Sequence, residues 1–250
     1  MKKNKKPFFS IITVTKNSEK TLKRNLRSLQ NQIFQNFEHI IIDGGSTDKT
    51  LEIIKNNKKK INFFISKKDK NMWEAINTGI KNSKGKVIGI LNSDDILYAN
   101  GLKIVKKHFD NMELDFLCAS VKKKKIYHGF FPKKIKYKFN IFPSHSVGFY
   151  IKKKVHDKIG LYDDNLKFCA DYDLIYRLIK NNFKGSHTSK SEVVGKFYPG
   201  GISEKIKNTK YLLYQAKVRL KHKENFLYVA LLSLAHFFYY YIKNIYEKKF

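Results

Sequence analysis

The chain has 250 residues, 42% hydrophobic and 14% aromatic, enough for one sizeable core with a short appendage and too apolar for a disordered chain. Two cysteines and four prolines exclude a disulfide-stapled module and a proline-rich linker protein. Fifty-one basic against 21 acidic residues leave a formal charge of +30, which draws the chain to polyanions such as nucleic acid, anionic lipid or phosphorylated substrates.

The basic Met1–Pro7 precedes a short apolar run that ends at Thr15-Lys16-Asn17 without a small-residue cleavage site, so Phe9 to Thr15 reads as a first strand and export is not expected. Ser18 is placed to cap a helix with Leu22, Leu26 and Leu29 on one stripe. A second strand at His39–Ile42 closes on Asp43-Gly44-Gly45-Ser46-Thr47-Asp48, and a helix with Leu51, Ile53 and Ile54 follows. Ile61–Ser66 reads as a third strand, Asn71–Asn82 as a helix with Met72, Ala75, Ile76 and Ile80 inward, and Lys86–Leu91 as a fourth strand. That fourth strand is apolar throughout, as in a sheet buried on both faces.

The alternation predicts an α/β fold with a mostly parallel sheet and covering helices. Ligands of such sheets bind beyond the carboxyl ends of the strands. Polar residues stand at each of those ends: Thr15-Lys16-Asn17, Asp43 and Ser46, Lys68-Asp69, and Asn92-Ser93-Asp94-Asp95. One aspartate there reads as a turn or cap, but the repetition at four ends points to a divalent cation holding a phosphate-bearing ligand. Cys118 and Cys169 read as buried thiols in a cytosolic setting, and no cysteine or histidine pair has zinc-ligand spacing.

Ser10–Asn17, Ile42–Asp48, Lys68–Gly79, Leu91–Asp95, Cys169–Leu174 and Gly200–Ser203, taken in order, resemble the family 2 glycosyltransferases of GT-A fold, of the bacterial cell-surface polysaccharide type. The resemblance implies inverting transfer of a sugar from a nucleotide-linked donor, with a lean towards uridine diphosphate, to a hydroxyl of a glycan or lipid-linked glycan. It implies Mn²⁺ or Mg²⁺ as cofactor, with Asp94 as the last residue of the DxD motif and the metal ligand, and Asn92 in place of its first acid. Asp95 is expected to cap the next helix. Val14, Asn17, Asp43, Ser46, Asp69 and Asn92 fall at nucleotide-sugar positions, and Lys16 stands where many relatives carry tyrosine.

Inversion needs a base opposite the leaving group, and the resemblance gives that role to Asp171, at the start of a helix with Leu174, Ile175, Leu178 and Ile179. The alternative for Asp171 is a helix cap; Asp173 is expected to be structural. His145 and Trp73 are candidates for the acceptor site, each with a packing role as the alternative.

The chain divides on this reading into a catalytic domain, 1–203, and a C-terminal helical apolar tail, 204–250. Phe226–Ile242 is apolar nearly all round, slightly short of a membrane span and flanked by lysines. It is expected either to attach the protein peripherally to the inner face of the cell membrane from the cytoplasm or to pack on the domain or in a dimer. Two other classes remain: a basic nucleic-acid-binding protein and a nucleotidyltransferase. Arginine occurs only at positions 24, 27, 177 and 219, which argues against the first, and no glycine-rich basic signature follows strand one, which argues against the second. No nucleic-acid partner is expected.

Overall fold

The computed structural model describes residues 6–139, 145–200 and 208–249. The chain runs β1 (Phe9–Thr15), α1 (Leu22–Gln30), β2 (Phe37–Asp43), α2 (Thr50–Asn56), β3 (Phe63–Ser66), α3 (Met72–Asn82), β4 (Val87–Ile90), β5 (Ile96–Leu97) and α4 (Gly101–Asn111). Then follow β6 (Phe116–Cys118), β7 (Ser120–Lys122), β8 (Ile126–Tyr127), β9 (Phe149–Lys152), α5 (Lys153–Ile159), α6 (Ala170–Lys180), β10 (Gly185–His187) and β11 (Val193–Lys196). Two helices close the chain, α7 (Asn208–Lys221) and α8 (Phe226–Lys249).

Seven strands form one sheet in the order β10-β6-β9-β4-β1-β2-β3. All its pairings are parallel except those of β9, which runs antiparallel between β4 and β6. β1 and β4 are buried from end to end, so their β-branched runs face a core on both sides. Alternate residues divide between the two faces: Ile12, Ile40 and Ile90 pack with α3 and α6 residues such as Ile76 and Leu174, while Phe9, Ile11 and Val87 pack with Leu29 of α1 and Leu102 and Val105 of α4. A smaller sheet has the order β5-β11-β7-β8.

Two local expectations are corrected. Ser18 does not cap α1 with its side chain: its carbonyl accepts from the N–H groups of Thr21 and Leu22, and its hydroxyl bonds Ser93 Oγ at 2.8 Å. The third strand is shorter than Ile61–Ser66, because Lys58–Lys60 form a tight helical turn first. Asn71 does cap α3, its Oδ1 accepting from Trp73 and Glu74 N–H at 3.0 and 3.3 Å.

Packing does not divide at residue 203. Leu212 and Val218 of α7 belong to the central core, and Arg219 beside them is fully buried. Its guanidinium bonds Tyr172 Oη at 2.9 Å, Glu224 at 3.0 Å and the carbonyls of Ile135 and Lys138 at 2.6 and 2.8 Å. Asp173, also fully buried, receives Arg177 and His222 at 2.8 Å and Lys221 at 3.2 Å, and these partners pull its carboxyl down to about 2 against the opposing effect of burial. The structural role expected for Asp173 is thus to lock α6 to α7. Cys118 and Cys169 are free and buried. No helix among the described residues is long and apolar enough to cross a membrane.

Candidate active site

The strand register brings the carboxyl ends of β1, β2 and β3 level, Thr15 beside Asp43 and Asp43 beside Ser66. Asp43 is fully buried and organises the turn after β2. Its Oδ2 accepts from the N–H groups of Gly45 and Ser46 at 3.1 and 2.9 Å and from the Ser66 hydroxyl at 2.7 Å; its Oδ1 accepts from the Ser46 hydroxyl at 2.5 Å. Ser46 Oγ also accepts from Asn17 N–H at 2.8 Å, and Asn17 Oδ1 from Thr47 N–H at 2.8 Å. Asn17 holds φ at 50°, a left-handed conformation that asparagine tolerates. Val14 is buried at 8% exposure, so its side chain is spent on the core.

Asp69 differs from these. Both its carboxylate oxygens are buried without a hydrogen-bond partner, and burial, with Glu74 and Asp43 nearby, raises its pKa against the pull of Lys67 and Lys16. A β-carbon at Gly44 would lie 3.3 Å from Asp69 Oδ2 and 3.5 Å from Lys16 Cδ, so the glycine keeps this cradle open.

Across β1, the turn after β4 carries Asn92 to Asp95. Asn92 Nδ2 donates to Ser146 Oγ at 3.0 Å and to Asp95 Oδ2 at 3.4 Å, which leaves its buried Oδ1 with no partner. The Asp94 side chain is half-buried, and Arg24 Nη2 bonds the Asp94 carbonyl at 2.7 Å. Asp95 does not cap α4. It is 1% exposed, accepts from Tyr198 N–H at 3.3 Å and faces His145 Nδ1 at 3.5 Å. Burial, helped by the charge of Asp94, raises the Asp95 carboxyl to about 8, and burial lowers His145 to about 4. The His145 ring also stacks on Phe197, centroids 4.3 Å apart.

Five buried, unpartnered side-chain atoms gather at this rim: Thr15 Oγ1, Asn25 Oδ1, both Asp69 oxygens and Asn92 Oδ1. Native interiors leave few such atoms, and every one of these is an acceptor or a hydroxyl. Among the described residues no cluster of three or more histidine, cysteine, aspartate or glutamate side chains can hold a metal unaided. The Asn92 amide oxygen and the Asp94 carboxylate nevertheless fit a hard cation that keeps most of its ligands from phosphate and water.

Asp171 lies in the first turn of α6, and the loop before that helix is tied to α3. Asn77 exchanges hydrogen bonds with the backbone of Tyr162 at 2.8 and 3.1 Å, Asn71 Nδ2 donates to the Asp164 carbonyl at 2.8 Å, and Trp73 Nε1 to that of Lys167 at 3.1 Å. These bonds fix the loop that leads into α6 beside the loop that carries Asp69. Trp73 is 8% exposed and stacked on Tyr162 at 5.1 Å, which is the packing role. Asp171 Oδ1 accepts its neighbour Tyr172 N–H at 2.7 Å, yet burial still raises the carboxyl to about 6.

Sequence reasoning missed Arg24, which lies 3.8 Å over the Tyr198 ring while gripping the Asp94 backbone, and Asn25, whose amide bonds the carbonyls of Asn92 and Asp95. The scarcity of arginine was the available signal: two of the four, Arg177 and Arg219, are multidentate anchors around α6, and a third, Arg24, holds the Asp94 backbone. Residues 201–203 of the expected closing loop lie outside the described residues.

A largely parallel sheet with these acceptors at its carboxyl rim, flanked by a smaller sheet, is the architecture of the GT-A class. The model of Glycosyl transferase family 2 matches residues 10–163, and the chain belongs to that family. An uncharacterised glycosyltransferase of Rickettsia typhi is 31% identical over 190 residues, 70% of this chain and 59% of its own length, so the chain spans little more than half of that relative. One of Methanocaldococcus jannaschii is 31% identical over 199 residues, 72% of this chain and 67% of its own length. Among solved structures, Staphylococcus aureus TarS in complex with UDP-GlcNAc aligns with a TM-score of 0.69 at 20% identity, covering 90% of this chain and 70% of that one. The Pyrobaculum calidifontis mannosyltransferase PcManGT, in complex with GDP-Man and Mn²⁺, aligns at 0.63 with 14% identity, covering 88% and 64%.

Proposed function

We propose that the protein is a metal-assisted, inverting glycosyltransferase that moves a hexosyl or N-acetylhexosaminyl group from a nucleotide-sugar donor, UDP-linked by preference, to a hydroxyl of a glycan or lipid-linked glycan. The setting is cell-surface polysaccharide assembly in the cytoplasm, with peripheral contact at the inner face of the membrane. The observation that carries the reading is the group of unpartnered acceptors at the sheet rim, which suit a ligand rich in hydroxyl and N–H donors that brings a cation with it. The relatives' names point the same way. TarS is a poly(ribitol-phosphate) β-N-acetylglucosaminyltransferase, 32% identical over 119 residues, and a Methanococcus voltae relative, 44% identical over 85 residues, is named for a dolichyl-phosphate-linked acceptor.

In this mechanism Asp69 and the Asp43–Ser46 turn receive the nucleoside, and Asn92 Oδ1 and Asp94 hold Mn²⁺ or Mg²⁺. The ion supplies charge stabilisation for the departing diphosphate. Arg24 and Asn25 keep the Asn92–Asp95 turn rigid by gripping its backbone. Asp171 takes the proton from the acceptor hydroxyl as its oxygen attacks the anomeric carbon, and a carboxyl raised to about 6 is basic enough for that task while still ionised at neutral pH. His145 borders the acceptor side.

The test is purified full-length chain with Mn²⁺ and a panel of nucleotide sugars, following slow donor hydrolysis. One or two donors should be hydrolysed in a chelator-sensitive way. Hydrolysis of none, together with no nucleotide binding, would refute the reading.

A further inference from the structure

The apolar residues of α8 lie largely on its exposed side. Val229 is buried, and Leu232, Ser233, His236 and Tyr240 are half-buried, with the His236 ring 5.2 Å from that of Phe139. The other side presents Phe226, Leu227, Leu231, Leu234, Phe238 and Tyr239, each 55–69% exposed. No charged residue occurs from Phe226 to Ile242. An exposed apolar surface of this extent marks an interaction site.

Charge and length select the occupant. As a helix, residues 226–242 rise about 25 Å, short of the roughly 30 Å of a hydrocarbon core, which favours lying in the interface over spanning it. The neighbouring turn at 131–138 exposes Lys133, Lys136 and Lys138 together with Phe131 and Tyr137, 46% and 55% exposed. Arg219 of α7 ties that turn down by bonding the Ile135 and Lys138 carbonyls, and Phe139 after it meets His236 of α8. A second copy would bring another +30 chain against these lysines, whereas an anionic surface complements them. Lysine, tyrosine and phenylalanine around an apolar helix suit the headgroup boundary.

We propose that the outer face of α8 and the 131–138 turn form one docking surface for an anionic lipid bilayer, with α8 lying in the membrane plane. This deepens the membrane contact of the reading above and is independent of the donor chemistry. The experiment floats the full chain with vesicles of phosphatidylcholine, with and without phosphatidylglycerol. The chain should float with the anionic vesicles only. Leu231→Glu combined with Phe238→Glu should abolish flotation, and Lys133→Glu, Lys136→Glu and Lys138→Glu together should weaken it roughly tenfold or more. Donor hydrolysis by both variants should stay at the parental rate, which reports an intact fold and separates failure of docking from failure of the glycosyltransferase reading. Equal binding to neutral vesicles would overturn the proposal, as would absence of binding to either. A dimer in analytical ultracentrifugation that Leu231→Glu disperses, without lipid binding by the parent, would assign the face to a second copy instead.

Discussion

Replacing Asp171 by asparagine should remove the proposed base and stabilise the fold at the same time. The shape is conserved, and an asparagine Oδ1 can still accept the Tyr172 N–H that Asp171 holds at 2.7 Å. Burial raises the Asp171 carboxyl from 3.8 to about 6, so between those values the folded chain keeps a proton that the unfolded chain releases. Stability therefore falls as pH rises through this window, and above it the folded state carries a strained charge. Two pKa units correspond to about 3 kcal/mol, which we reduce to roughly 1–3 kcal/mol because the half-buried carboxylate is partly screened by water. Urea unfolding followed by circular dichroism should find Asp171→Asn more stable than the parent by that amount near pH 8 and equal to it below about pH 4. Transfer should drop by about 10²–10⁴-fold while donor binding persists, and parental kcat/KM should rise through about pH 6. A variant that is less stable than the parent at pH 8 and turns over normally would show that the carboxylate is only a helix-terminal anchor, and the mechanism would fall with it.

Three further outcomes follow from the geometry. Asp94→Ala should weaken Mn²⁺-dependent donor binding, measured by calorimetry, without lowering thermal stability, since the half-buried side chain is not part of the core; full activity in chelator would contradict the metal role. Arg219→Ala should cost about 3–5 kcal/mol in urea unfolding, because it takes the guanidinium from the Tyr172 hydroxyl and two carbonyls around a fully buried site and leaves Glu224 with Lys180 alone of its two ion-pair partners; a loss below about 1 kcal/mol would mean that α7 is not integral to the fold. Gly85→Ala should destabilise by at least about 1–3 kcal/mol, since a β-carbon there would lie 2.5 Å from Ser10 N and 2.6 Å from the Phe9 carbonyl carbon, backbone atoms that cannot yield.

The first four strands were legible because each is long or apolar enough to show its period and ends in turn residues. The rest of the large sheet was not. β6 and β10 have three residues each and β9 four, and β9 enters antiparallel between β4 and β6, a placement fixed by pairing with Val87–Gly89 some sixty positions away in sequence. α7 falls in the expected tail because no motif follows Ser203 and the apolar run begins only at Phe226, and burial of Arg219 runs against every propensity; its four partners compensate it. At the site, the topology rule for parallel sheets pointed to the rim where the unpartnered acceptors lie. The roles of Ser18, Arg24 and Asp95 escaped because their partners, Ser93, the Asp94 carbonyl with Tyr198, and His145, come from other elements. A cap is the local default for serine or aspartate beside a helix, and tertiary partners displaced it in both cases.

The contrast between a +30 chain and an acceptor-lined rim also separates the two uses of charge. The lysines create a long-range field that concentrates any anion near the surface, nucleotide sugars and nucleic acids alike. At contact distance, however, a bare phosphate at the rim would meet Asp69 and Asp94 carboxylates and the Asn92 amide oxygen, all acceptors. Phosphate oxygens are acceptors too, so these three groups offer it no proton, and positive charge comes to the rim from Lys16 and Lys67 beside Asp69 and Arg24 beside Asp94. A divalent cation resolves the conflict for a diphosphate, which chelates it, far better than for a nucleic-acid backbone with one charge per phosphate. On the proposed reading the field gathers polyanions without discrimination, and the rim with its cation would select the chelating diphosphate among them.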